Sequence, residues 1–303
     1  MVSAEARAEI ERMLAGRRMA EAKPSPPKTL AEERREWEAA ARLTVLPKGA
    51  RFHGVDAGGV RAEWMEMPHV ARDRVLLLLH GGGYSSGSPR THRKMAANLS
   101  RAAHARVLTP DYRLAPEHPF PAGVKDALKA FGWLLDQGFP ASSIVVAGDS
   151  AGGGLALSML LALREADAQM PRAAVLMSAW TDLTASSPSH ASQRKIDVQV
   201  TRAGLRRAGL AYAGGRDPAD PMASALFADP SGLPPILLQV GGNEVLLDDS
   251  RIFAERARAA GVDVTLRIFE GMWHVFQFHA PEVPEAQAAM NDIAAFIRAQ
   301  FGD

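Results

Sequence analysis

From about residue 74 to the C-terminus, short apolar runs alternate with segments of helical length, and this alternation limits the possible folds most. RVLLLLH (74–80), RVLTPDY (106–112), SSIVVAG (142–148), AAVLMSAW (173–180), PPILLQVGG (234–242) and VTLRIF (264–269) read as strands. Residues 91–104, 124–137, 151–166, 249–260 and 285–300 read as helices. A strand with no polar face is buried on both sides. Such strands require a parallel sheet with helices covering both faces. Crossovers in such a sheet are right-handed, and ligands bind beyond the carboxyl ends of the strands.

Two regions stand outside the alternation. Val2–Arg18 is an amphipathic segment, and KPSPPKT (23–29) interrupts it, because each proline fixes φ and removes a donor. Thr29 and Glu32 then form a T-x-x-E capping box for a helix running to about Leu43. ARFHGV and VRAEWMEM flank DAGG as a hairpin. More than 50 residues separate the strand at 173–180 from the strand at 234–242, and they include a helix candidate, VTRAGLRRAGLAYAGG. The chain divides into an N-terminal helical part (1–45), a core (46–184 and 217–303) and an inserted segment (185–216). The helical part and the insertion together suggest a lid over the carboxyl edge of the sheet.

Charge and composition remove several functional classes. The 35 basic and 34 acidic residues leave a net charge of +1, which gives no footprint for nucleic acid or an anionic membrane surface. With no cysteine there are no disulfides, thiolate nucleophiles or Cys-ligated metals. The N-terminal stretch lacks the apolar run of a signal peptide, and VLLLL (75–79) is too short to span a bilayer. The expectation is a cytoplasmic protein with no membrane anchor and no nucleic-acid partner. No metal motif such as H-E-x-x-H occurs.

The chemistry concentrates at the ends of three strands. GDSAGG (148–153) places Ser150 where the strand IVVAG meets a helix. A glycine-rich turn is the bland reading. The strand–turn–helix context favours G-x-S-x-G as a nucleophile elbow, with Gly148 and Gly152 small because a Cβ would crowd the turn. HGGGY (80–84) ends the strand VLLLL, and its backbone amides suit a developing oxyanion, against the alternative of a flexible turn. Gly81 and Gly82, with the amide of Ala151, are the expected donors. His274 follows the last strand and is the expected general base; His279 lies five residues further along the chain.

These blocks, with DYRLAPEHPFPA (111–122), SAWTDLT (178–184), GGNEVLLDD (241–249) and MWHVF (272–276), resemble the hormone-sensitive lipase family, the bacterial family IV esterases. The resemblance runs from about residue 50 to the C-terminus, with all blocks in order. It implies the α/β-hydrolase fold: a mostly parallel eight-stranded twisted sheet with helices on both faces and a helical cap. It implies a serine carboxylesterase with no cofactor that cleaves a small-molecule ester of short to medium acyl chain. It also implies a homodimer, for which the last strand offers an exposed edge. The same triad serves lactonases and amidases, and a ligand-binding receptor on this fold would lack a triad member.

The acid departs from the family's D-x-L-x-D, because the aligned residue is Glu244. Position favours Glu244, which lies in the loop directly after the strand ending at Gly241–Gly242. Asp248 and Asp249 fall where the next helix starts and have a capping role open to them. Tyr84 and Trp180 are expected to line the substrate pocket. Arg113 and Glu117 are expected to pair, Asp149 to brace the elbow, and Asp182 to organise a turn.

Overall fold

In the computed structural model, which describes residues 2–22, 26 and 28–302, the apolar runs form the centre of one eight-stranded sheet. The interruption read at 23–29 falls largely outside the described residues.

The chain opens with helices α1 (Ala4–Ala22) and α2 (Leu30–Arg42), the latter starting in the Thr29/Glu32 capping box. Strands β1 (Arg51–Asp56) and β2 (Arg61–Glu66) form an antiparallel hairpin. There follow β3 (Ala71–Leu79), α3 (Arg93–Ala103), β4 (Ala105–Pro110), α4 (Ala122–Asp136), β5 (Ile144–Asp149), α5 (Ala151–Glu165) and β6 (Ala173–Met177). Beyond β6 the chain makes a one-turn helix α6 (Ser189–Ser192) and α7 (Arg202–Ala213). It closes with β7 (Ile236–Gly241), α8 (Leu247–Ala259), β8 (Val264–Phe269) and α9 (Pro284–Phe301). The strand order is β1-β2-β4-β3-β5-β6-β7-β8, antiparallel from β1 through β2 to β4 and parallel from there to β8.

Side-chain alternation accounts for the all-apolar strands. Val75, Leu77 and Leu79 join one core with Phe131 of α4, Leu155 of α5 and Phe253 of α8. Leu76 and Leu78 face a second core with Met95 and Leu99 of α3 and Ile293 and Ile297 of α9. Each fully buried leucine contributes about 1.5–3 kcal/mol, so both faces of β3 are needed. α5 is buried almost all round and is therefore apolar on every side. Its small first turn lets the helix approach neighbouring backbone closely: a Cβ at Gly152 would meet the carbonyls of Leu79 and His80.

α1 starts against α9, where Glu285 accepts from the Ser3 amide at 2.6 Å and the Ser3 hydroxyl at 2.7 Å. α2 is tied to core loops by Arg34, which bonds the carbonyls of Ser85 and Ala115 and both oxygens of Glu117. That replaces the expected Arg113–Glu117 pair. Arg113 instead grips Asp126 of α4 with two contacts of 2.8 Å, because Asp126 is buried and Glu117 faces solvent on the α2 side. Among the described residues, no helix is long and apolar enough to cross a membrane.

Candidate active site

The carboxyl ends of β3, β5, β6, β7 and β8 meet at one edge of the sheet, and the loops leaving them build the site. β5 ends at Asp149, and the chain reverses into α5 through Ser150, whose backbone is left-handed (φ 52°, ψ −121°). Only a tightly packed surround holds a non-glycine residue there. The surround is on both sides: the Ser150 amide donates to the Met177 carbonyl, and the Ser150 carbonyl accepts from the Trp180 amide, each at 2.9 Å. Gly148 is required because a Cβ there would strike the Gly152 carbonyl.

His274 comes from the loop after β8. Its Nε2 lies 2.9 Å from Ser150 Oγ and its Nδ1 lies 2.8 Å from Glu244 Oε2. Glu244 comes from the loop after β7 and is fully buried. Its Oε1 accepts from the Gly241 amide and the Ser178 hydroxyl, both at 2.6 Å. Burial lifts the Glu244 carboxyl above the ordinary carboxylate range, against the pull of its donors. Burial alone would lower His274, but the bond to Glu244 and its charge outweigh it and raise the imidazole above its ordinary value. The structure therefore brings Ser150, His274 and Glu244 into one hydrogen-bonded chain.

Asp248 stands outside that chain, 3.6 Å from Arg251 on the same helix. Asp249 is not a helix cap. It is buried against His190 Nε2 at 2.8 Å and accepts from the amides of Thr181 and Asp182, each at 3.0 Å. With Asp182 these residues form the only cluster of three ligand-type side chains found among the described residues. Asp182 already accepts from the amides of Thr184, Ser186 and Ser187, so its oxygens are engaged in shaping the turn after β6, as expected of a turn residue.

The glycine loop needs a correction. The Gly81 amide donates to Asp149 Oδ1 at 3.0 Å and lies 3.3 Å from His92 Nε2, so it points into the scaffold. The reason is the buried Asp149 carboxylate beneath the loop, which demands donors; burial would raise its pKa, but His92, His80 and that amide outweigh it and keep it low. Gly82 and Gly83 are the loop residues that face the cleft. Their amides and that of Ala151 have no acceptor among the described residues.

The cleft opens into a cavity of about 680 Å³. Trp180 lines it, as expected, but Tyr84 does not. Tyr84 is buried and stacked on Tyr212 of α7 at 3.6 Å between ring centroids, because the turn through Gly82 and Gly83 carries it under the loop. The sequence reading missed the other walls. α2 contributes Trp37, Ala40 and Ala41, at spacings of three and four, and Thr44 follows just past its end. α7 and the residues before it contribute Val200, Thr201, Leu205 and Ala208. Phe278 and His279 also line the cavity, so the chain after His274 stays at the site rather than leaving it. The signal for α2 is the spacing of Trp37, Ala40 and Ala41 on an otherwise charged helix, and the structure leaves no residue of that helix buried by protein.

A nucleophile-type serine on a strand–helix turn, a histidine loop after the last strand and a glycine loop after β3 together define an α/β hydrolase. A family profile described as alpha/beta hydrolase fold matches residues 76–278. The chain is 42% identical over 277 residues to an acetyl-hydrolase of Streptomyces hygroscopicus, covering 91% of each chain. It is 39% identical over 255 residues to an esterase of Acinetobacter venetianus, covering 84% of this chain and 82% of that one. A crystal structure of an esterase from the bacterial hormone-sensitive lipase family superposes with a TM-score of 0.92 at 42% identity, covering 99% of both chains. The chain belongs to the α/β-hydrolase family and, within it, to the hormone-sensitive lipase group of bacterial esterases; it is a hydrolase.

Proposed function

We propose that the protein is a serine carboxylesterase working through Ser150, His274 and Glu244. The observation that carries this reading is the pair of hydrogen bonds from Ser150 Oγ to His274 Nε2 and from His274 Nδ1 to Glu244 Oε2, at 2.9 and 2.8 Å. Ser150 Oγ attacks the ester carbonyl carbon while His274 Nε2 takes its proton. The amides of Gly82, Gly83 and Ala151 receive the oxyanion, aided by the N-terminal end of α5. His274 then gives the proton to the departing alcohol. Water, deprotonated by the same imidazole, releases the acid from the acyl-enzyme.

The substrate in this reading is a small ester of short to medium acyl chain. A cavity of about 680 Å³ with walls from Trp37, Trp180, Val200 and Leu205 supports a compact apolar group. The relative named acetyl-hydrolase supports the short end of that range. α1, α2 and residues 185–216 act as a cap, which is supported by the wall residues that α2 and the 199–208 stretch supply. β8 ends the sheet, so two copies can pair edge to edge as a homodimer.

The test is a rate panel of p-nitrophenyl esters from acetate to decanoate, with a matching amide and a lactone, run on the wild type and Ser150→Ala. The expected result is a maximum at short to medium esters and loss of several orders of magnitude in the variant. Turnover of the amide or lactone above every ester would redirect the assignment.

A further inference from the structure

We propose that Ser178 is a positioning residue for the reaction: its hydroxyl bolts the acid loop to the histidine loop and orients Glu244. This inference rests on the Ser150–His274–Glu244 reading. Ser178 is the first residue after β6 and is fully buried. Its own amide donates to the Gln239 carbonyl of β7 at 2.7 Å. Its Oγ donates to Glu244 Oε1 at 2.6 Å and accepts from the Val275 amide at 3.1 Å. One hydroxyl therefore touches both the acid and the residue next to the base.

The chemistry explains why a serine stands here. A hydroxyl is the smallest side-chain group that donates and accepts at once. The backbone at Ser178 is left-handed (φ 50°), as it is at Val275 (φ 49°), so the hydroxyl joins two loops that are both held in a strained conformation. Removing Oγ would leave the buried Val275 amide unpaired and one donor missing from Oε1. With Ser178 and Gly241 both on Oε1, only Oε2 faces His274. A glutamate has one more side-chain torsion than an aspartate, so its carboxylate needs this extra restraint to hold one orientation.

The hydroxyl also competes with His274 for the charge of Glu244. Losing it leaves a more basic carboxylate, which stabilises the imidazolium over the neutral imidazole. Ser178→Ala should therefore lower kcat by about ten- to a hundredfold with KM within about threefold, and move the acid limb of the pH–rate profile upward. A residue that merely supports the fold would lower thermal stability without moving that limb. Adding Ser178→Ala to Glu244→Gln should cost less than about twofold, because the group it orients has already lost its function. A folded Ser178→Ala with wild-type kcat and an unmoved acid limb overturns the proposal, as does a full additive loss in the double variant. High activity in Glu244→Gln alone would instead overturn the triad reading beneath it. If Ser178→Ala does not fold, Ser178→Gly serves, since glycine accepts the left-handed backbone. Failure of both to fold would make Ser178 a folding residue and also overturn the proposal.

Discussion

Replacing Glu244 by glutamine keeps the shape of the side chain and removes only the charge, and the structure gives its consequence. The amide can sit in two ways. With its oxygen in the place of Oε1, it still accepts from Ser178 and Gly241, and its NH2 group faces His274 Nδ1. Nδ1 must then accept, so the ring proton moves to Nε2 and points at Ser150 Oγ. That tautomer cannot take the serine proton. With the amide reversed, its NH2 faces the Gly241 N–H, and the Ser178 hydroxyl, already accepting from Val275, must accept again. An unpaired buried amide costs about 1–3 kcal/mol, so the first arrangement prevails. Loss of the correct tautomer should lower kcat about ten-thousandfold, or roughly 5 kcal/mol of transition-state stabilisation. Stability should change by less than about 1 kcal/mol, because every buried group keeps a partner. The assay is steady-state hydrolysis of p-nitrophenyl acetate beside urea unfolding. Asp248→Asn is the control: its carboxylate is half-buried and 3.6 Å from Arg251, so both kcat and stability should stay near wild type. A folded Glu244→Gln with kcat within tenfold of wild type would refute the reasoning.

Three further outcomes are expected. His274 holds its proton more tightly than an ordinary imidazole, so kcat/KM should fall on acidification through a midpoint above about 6.5; a midpoint below that value would contradict Glu244 as its partner. Asp249→Asn breaks a fully buried pair with His190 and should cost about 3–5 kcal/mol by urea unfolding, with a loss under 1 kcal/mol arguing that the pair is neutral. Trp37→Ala opens the wall beside Gly82 and should lower kcat/KM about five- to thirtyfold on the preferred ester, and identical kinetics across the panel would show that α2 does not shape the pocket.

The fold was readable because its signals are local. VLLLL, IVVA and ILLQV have no polar face, so each demands cover on both sides, and the helices between them supply it. Thr29 and Glu32 mark a helix start within four residues. Ser150, His274 and Glu244 were readable for a related reason: each sits in the loop or turn beyond a strand end, and a parallel sheet brings those ends to one edge. What periodicity does not carry is the rotation of a loop about its own axis. Nothing in HGGGY says which glycine amide turns inward. That depends on Asp149, 68 residues away, whose buried carboxylate draws the Gly81 amide toward itself.

Buried carboxylates also choose their partners by burial rather than by closeness in sequence. Arg113 and Glu117 lie close in sequence, but pairing follows desolvation, and Asp126 is the carboxylate buried within reach. Asp249 stands where a helix cap belongs, yet its side chain turns away from its own helix to His190 and the 181–182 amides. Both of those partners lie in the stretch following β6, where no repeating pattern guides a reading. Three buried carboxylates on this edge thus reach partners on other strand-end loops: Asp149 on the glycine loop, Asp249 on the turn after β6, and Glu244 on the histidine loop and on Ser178 after β6, besides Gly241 of its own strand. The crossed pairing ties these strand-end loops to one another. Ser150 is likewise held from the end of β6, through the Met177 carbonyl and the Trp180 amide, so a substitution at any one of these carboxylates should be felt on a neighbouring loop as well as on its own.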